Sequence, residues 1–137
     1  MDFQGDELTK KIIGSIIRVH KTLGPGFLES IYRNALMLDL KKSGLSAEAE
    51  KEVVVEYLGE EVGRHRLDVL VEEEVIVELK TVESLTFSHY AQVRSYLRAT
   101  GSELAILVNF MHAKADFRRI EADGGHFRYG EHNVREF

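Results

Sequence analysis

A chain of 137 residues, 44% apolar and 30% charged, can bury one substantial hydrophobic core and is short for two, which predicts a single domain over residues 1–137. The absence of cysteine excludes disulfides and thiolate metal sites, and no apolar run approaches the ~20 residues of a bilayer span. A formal charge of −5 argues against a broadly basic duplex-binding surface, so any cationic surface must be local, as at Arg64-His65-Arg66, Arg94 with Arg98, or Arg118-Arg119.

The amino terminus, MDFQGDELTKK, is acidic and polar and lacks a leader pattern, so a cytoplasmic location is the default expectation. From Asp6 to Leu23 the apolar residues Leu8, Ile12, Ile13, Ile16, Ile17, Val19 and Leu23 recur at helical spacing, and Gly24-Pro25 should end that helix. Gly24-Pro25-Gly26 reads as a corner rather than a phosphate loop, because neither GxGxxG nor GxxxxGK[ST] is present. FLESIYRNALMLDLKKSG predicts a second helix with Leu28, Ile31, Tyr32, Ala35, Leu36 and Leu40 inward and Gly44 as its stop. The period then changes, and three strands are predicted over Glu52 to Leu58, Leu67 to Val71 and Val75 to Val82. SLTFSHYAQVRSYLRATG follows as a third helix that buries Tyr90, Val93, Arg94 and Leu97 and stops at Gly101, with His89, Gln92, Tyr96 and Ala99 on a stripe roughly opposite. Leu104 to Phe110, LAILVNF, has the continuous apolar character of a strand covered on both faces. Beyond Met111, short apolar pieces around FRRI, GG and HFRY predict an edge strand or hairpin. The order α-α-β-β-β-α-β plus short C-terminal strand elements is that of an α/β domain with a mixed central sheet flanked by helices. His20, His112, His126 and His132 lack metal-ligand spacing and read as surface or helix-end residues, while His89 is a further pocket candidate.

The chemistry-bearing stretch is VIVELKTV, residues 75–82. If Glu72-Glu73-Glu74 form the loop before it, residue 71 pairs with 75, 69 with 77 and 68 with 78, which sets Asp68 across from Glu78 with Cβ atoms about 5 Å apart. Alternation then sends Leu67, Val69 and Val71 to one face, and Arg66, Asp68 and Leu70 to the other together with Ile76, Glu78 and Lys80. Two carboxylates at ~5 Å repel by roughly 3 kcal/mol at an effective dielectric of about 20, and burial under a helix adds a desolvation cost. Lys80 offsets one of the two charges, and a divalent cation would supply the rest. A solvated hairpin face would carry the same residues in screened cross-strand pairs, and a two-residue loop would set Asp68 against Val77 instead. Glu29 and Tyr32 lie three apart in the second helix, where an acidic first turn also suits the helix dipole, and Gln92 and Tyr96 lie four apart in the third.

At these residues the sequence resembles the PD-(D/E)XK nuclease superfamily. Asp68 followed by Glu78-Leu79-Lys80 is similar to its D…(D/E)xK signature, and Gln92-Val93-Arg94-Ser95-Tyr96 to its QxxxY helix motif. Gly26-Phe27-Leu28-Glu29-Ser30-Ile31-Tyr32 resembles the GxxExxY motif that names a small bacterial and archaeal subgroup. The motifs keep their order between Leu23 and Phe110, with Leu67 standing where the usual Pro precedes the motif Asp. The resemblance implies a restriction-endonuclease-like core and a nucleic-acid substrate, DNA in the first instance. It implies Mg²⁺, with Mn²⁺ as a substitute, held by Asp68, Glu78 and the carbonyl of Leu79, with Glu29 touching the metal directly or through water. Lys80 would orient or help deprotonate the attacking water, and Gln92 and Tyr96 would line the pocket. The acidic charge favours a short, single-stranded or locally contacted substrate, and the resemblance points to a homodimer. The acidic loop Glu72 to Glu74 would repel a polyanion unless it points away from the site. A catalytically silent binding module and a structural or interaction subunit of the same fold stay open at this point.

Overall fold

A computed structural model describes residues 3–122. Helix α1 spans Phe3–Leu23 and α2 Glu29–Lys42; strands β1 (Ala47–Tyr57), β2 (Glu60–Val71) and β3 (Val75–Lys80) follow, then α3 (Phe87–Thr100), β4 (Leu104–Asn109) and β5 (Asp116–Glu121). The strands form one sheet in the order β1-β2-β3-β4-β5, antiparallel except where β4 runs parallel to β3 after the α3 crossover. This is the mixed sheet flanked by helices that the element order predicts, with β5 as the extra strand. HFRY, His126 and His132 lie outside the described residues.

Two apolar layers sandwich the sheet. On one side Ile12 and Ile16 of α1 and Tyr32, Leu36 and Leu40 of α2 pack on Val69, Val71, Val77, Leu79, Ile106 and Val108. On the other, Tyr90, Val93, Tyr96 and Leu97 of α3 pack on Leu67, Ile76, Ala105, Leu107 and Ile120. Strands β3 and β4 are therefore covered on both faces, as their unbroken apolar runs require. Each fully buried aliphatic side chain contributes roughly 1.5–3 kcal/mol. Gly101 stops α3 in the left-handed conformation (φ 76) that a side chain would disfavour.

Several boundaries differ from expectation. α1 begins at Phe3 rather than Asp6, β1 at Ala47 rather than Glu52, and β2 at Glu60 rather than Leu67. Leu58 and Gly59, with φ of 53 and 79, make the two-residue turn that joins β1 to β2 into a long arm. EEVGRH, residues 60–65, shows no apolar alternation because the arm extends past β3, which pairs with β2 only through Val69, Leu70 and Val71. β3 ends at Lys80 rather than Val82, where the Asn109 side chain takes both the N–H (3.1 Å) and the carbonyl (2.8 Å) of Val82. Leu28 is exposed because it precedes α2 in an extended conformation, and Ile17 and Ile31 are exposed as well. Tyr96, expected on a stripe opposite the apolar strip, is buried with it.

The expected alternation also breaks at Asp68. Leu67 belongs to the α3-side layer and Val69 to the opposite one, although strict period-two pattern would place them together. In the facing strand, Glu50 adopts a left-handed φ of 55 between the pairs Ala49↔Val69 and Lys51↔Leu67. The local twist there turns Leu67 toward α3 and leaves Asp68 between the two layers.

Candidate active site

The loop Glu72 to Glu74 closes the pairs Val71↔Val75, Leu70↔Ile76 and Val69↔Val77, the register its three residues predict. Beyond Val69 and Val77 the ladder gives way to side chains. The Asp68 N–H donates to Glu78 Oε1 at 3.4 Å, and the Leu79 N–H donates to Asp68 Oδ2 at 2.8 Å. The fork between β2 and β3 is thus bridged by the two carboxylates. The acidic loop stands at the other end of the strand pair, with Glu74 four residues or ~13 Å from Glu78. Glu72 folds back, its carboxylate accepting the Ser46 N–H at 2.8 Å.

Burial sets the electrostatics. Glu78 is 4% exposed, and burial followed by the Asp68 charge pushes its carboxyl up to about 8 against the opposing pull of Lys80 and the Asp68 N–H. Burial also raises Asp68, while the Leu79 N–H, Arg33 and Lys80 favour its ionised form. Glu29, half-buried in the first turn of α2, is raised by burial and then by Asp68, with Lys80 and Arg33 opposing. The structure therefore brings Glu29, Asp68, Glu78 and Lys80 into one electrostatic neighbourhood. Lys80 Nζ lies 3.8 Å from Glu78 Oε2 and donates to Gln92 Oε1 at 3.2 Å, which ties α3 to the site. Tyr96 is buried beside it, and burial, then Glu78 and Asp68, raise its phenol. His65 meets the Tyr96 ring edge-on at 4.7 Å and lies 3.2 Å from Ser95 Oγ through Nε2.

Among the described residues no three carboxylate or imidazole side chains form a ready-made metal cage; Asp68 and Glu78 converge as a pair, with Glu29 at longer range. The Leu79 side chain packs in the α1/α2 layer, so only its backbone can serve the site. The donors gathered here are hard oxygens from the buried Glu78 and the half-buried Asp68 carboxylates with a third nearby, a set that fits Mg²⁺ or Mn²⁺ and not a thiophilic metal.

Other expected residues divide differently. Tyr32 of the GxxExxY pattern is fully buried, stacks on Phe110 at 4.5 Å, donates its hydroxyl to the Gly24 carbonyl and accepts the Phe27 N–H, so it pins the α1–α2 corner. His20 is buried against Phe110 rather than on the surface, because the end of α1 tucks under that ring. His112 is exposed, its Nε2 bonding the Glu83 carbonyl at 2.8 Å. His89 accepts the Thr86 N–H through Nδ1 at 2.9 Å as part of a capping box, and burial and then Lys80 lower its imidazole pKa. Sequence reasoning missed Arg33 and Glu50, and it read His65 only as part of the cationic stretch Arg64-His65-Arg66. Arg33 was visible as the residue one turn beyond Glu29, while Glu50 carries no sequence signal and the contact of His65 with Tyr96 was hidden because the arm that bears both was not fully read as strand.

A family model described as the PD-(D/E)XK nuclease superfamily matches residues 6–120, from α1 into β5. No curated protein is significantly similar to the chain. Among solved structures, SSO0001 is similar over 78% of this chain with a TM-score of 0.58 and 22% identity, and the chain spans 55% of the length of that protein. An alkaline exonuclease (LHK-Exo) from Laribacter hongkongensis matches over 79% of this chain and 76% of its own, with a TM-score of 0.48 and 12% identity. Its complex with dAMP matches with a TM-score of 0.47 and 13% identity, covering 79% of this chain and 76% of that one.

Proposed function

The chain belongs to the PD-(D/E)XK nuclease superfamily and has a fold consistent with its restriction-endonuclease-like architecture, and from that premise we propose that it hydrolyses phosphodiester bonds of nucleic acid, DNA in the first instance, with a divalent cation as cofactor. The observation that carries this reading is the Asp68–Glu78 pair in the fork of the sheet, a half-buried and a buried carboxylate that accept the Leu79 and Asp68 N–H groups across it, with Glu78 pushed up to about 8 by burial and by the Asp68 charge. A structural hairpin gains nothing from such a pair, whereas a hard cation offsets it.

In this reading Asp68, Glu78 and the Leu79 carbonyl hold the cation, with Glu29 beside them. When bound, Mg²⁺ or Mn²⁺ supplies a Lewis acid that lowers the pKa of water and stabilises charge on the phosphoryl oxygens. Lys80, fixed between Glu78 Oε2 and Gln92 Oε1, orients the attacking water and donates to a phosphate oxygen as charge develops there. Gln92 is a positioning residue that keeps the ammonium aimed. Tyr96 keeps its phenolic proton and walls the pocket against solvent.

The same proposal takes the chain as a member of the GxxExxY subgroup, a reading supported by Gly26, Glu29 and Tyr32 at the spacing of that motif. The acidic charge supports a short or single-stranded substrate, and a homodimer would enlarge the contact surface. No helix among the described residues is long and apolar enough to cross a membrane. The test is a panel of end-labelled single- and double-stranded DNA and RNA incubated with Mg²⁺, Mn²⁺ or EDTA. Cleavage that needs the cation and disappears in Asp68→Ala is expected. Cleavage that survives both EDTA and Asp68→Ala, or none by the wild-type chain on any substrate, would overturn the reading.

A further inference from the structure

The geometry points to Arg33 as a substrate-phosphate ligand at the edge of this site, held in place by Glu50; the inference rests on the nuclease reading. Arg33 follows Glu29 by one turn of α2, so both project from the same helical face. Its side chain is only 16% exposed, and Nη2 donates to Glu50 Oε2 at 2.7 Å. Its charge favours the ionised forms of both Glu29 and Asp68, so the guanidinium lies within electrostatic reach of carboxylates on α2 and β2. A guanidinium has five N–H donors in a fork suited to phosphate, and among the described residues Glu50 is its hydrogen-bonding partner, so donors remain for a ligand.

Glu50 supplies a second, independent observation. It holds a left-handed φ of 55 inside strand β1, between the pairs Ala49↔Val69 and Lys51↔Leu67 and hence opposite Asp68. Such backbone strain in a residue other than glycine persists where its surroundings demand it. Here its carboxylate meets two arginines at once, Arg33 from α2 and Arg66 from β2, the latter at 3.7 Å. An ion pair this exposed on the Glu50 side, at 45%, stabilises little by itself. Its evident product is a guanidinium immobilised against the β1 residue that lies opposite Asp68. Charge balance gives that guanidinium a task. Glu29, Asp68, Glu78 and Glu50 against Lys80 and Arg66 leave two negative charges, which a divalent cation only cancels, and a phosphodiester anion entering the site needs one positive charge more. Arg33 supplies it.

The test is fluorescence anisotropy of the full chain with a 5′-fluorescein single-stranded DNA oligonucleotide, with Ca²⁺ replacing Mg²⁺ to hold turnover low, alongside thermal denaturation of each variant. Arg33→Ala should weaken binding roughly 10- to 100-fold, and Arg33→Lys less, since an ammonium lacks the fork. Glu50→Gln breaks the same ion pair but leaves the guanidinium, and should weaken binding by about 5-fold at most. The exchange of Arg33→Glu with Glu50→Arg should restore melting temperature without restoring affinity. Wild-type affinity in Arg33→Ala, equal losses in Arg33→Ala and Glu50→Gln, or recovered affinity in the exchanged pair would overturn the inference and leave the nuclease reading standing. A wild-type chain that binds no nucleic acid would overturn both.

Discussion

Glu78→Gln tests the electrostatic account of the site without requiring a known substrate. The side chain is buried, so the substitution preserves shape and an acceptor for the Asp68 N–H while removing one of two like charges. A carboxyl moved from 4.5 to about 8 implies an ionisation cost on the order of 5 kcal/mol in the metal-free native state. Coulomb repulsion between cross-strand carboxylates ~5 Å apart gives roughly 3 kcal/mol at an effective dielectric of about 20. The larger figure includes desolvation as well as repulsion, and the repulsion alone sets the expected melting shift. The sign follows from the direction of the shift. Folded Glu78 binds its proton more tightly than unfolded, so that stabilisation is complete below the unfolded value of 4.5 and is lost as pH rises through about 8. In EDTA the wild-type melting temperature should therefore fall between pH 5 and pH 9. Glu78→Gln should melt within a few degrees of wild type at pH 5 and about 10 °C higher at pH 9, taking ~3 °C per kcal/mol for a domain of this size. Mg²⁺ should raise the wild-type melting temperature at pH 8 and leave the variant nearly unchanged. A variant offset that is the same at pH 5 and pH 9, or an equal response of both proteins to Mg²⁺, would refute the reasoning.

Asp68→Ala should reduce cation-dependent cleavage by more than the roughly 10- to 100-fold typical of outer-shell changes at metal sites, measured by single-turnover cleavage of a labelled oligonucleotide. At pH 5, where repulsion is small, it should also melt below Asp68→Asn by about 1–3 kcal/mol, because alanine leaves the Leu79 N–H without its acceptor. Lys80→Gln should lower kcat with little change in KM, and Gln92→Ala should do the same more weakly, since the ammonium keeps Glu78 as a partner when Gln92 is gone; steady-state kinetics separate these cases. Tyr32→Phe should cost about 1–2 kcal/mol of stability with cation affinity intact, as read by denaturant titration and Mg²⁺-dependent melting, and lost affinity at full stability would place Tyr32 in the site instead.

The hairpin register was legible because Val71 and Val75 bracket a run of three glutamates and every second residue on either side is apolar. The loop's own conformation was not, since Glu72 and Glu73 take left-handed φ values of 53 and 56 that favour glycine or asparagine. Buried β3 and β4 announced themselves as apolar runs, whereas the distal arm of β1 and β2 buries too little of either face to leave a pattern. Tyr96 was misplaced because α3 is covered over more of its circumference than a single stripe, by β2 and His65 as well as by the sheet centre. Arg33 stayed unread for a different reason. Its role depends on Glu50, and nothing in the local sequence shows that a strand residue will turn through a positive φ to meet a helix seventeen positions earlier.

The fork itself explains how two carboxylates can be held close before any cation arrives. Where β2 and β3 part, the N–H groups of Asp68 and Leu79 lose ladder partners, and a buried orphan amide costs about 1–3 kcal/mol. The carboxylates of Glu78 and Asp68 satisfy those two donors crosswise. Each bond favours the ionised form that burial opposes, and each fixes one carboxylate to the strand that carries the other. The repulsion between them therefore cannot relax by a simple change of rotamer without orphaning an amide. A cation that entered would find its oxygen ligands already oriented and, where both carboxylates are ionised, would also relieve their repulsion. Substitution of Glu78 should therefore raise stability above about pH 8, where both carboxylates are ionised, and should remove most of the response to Mg²⁺.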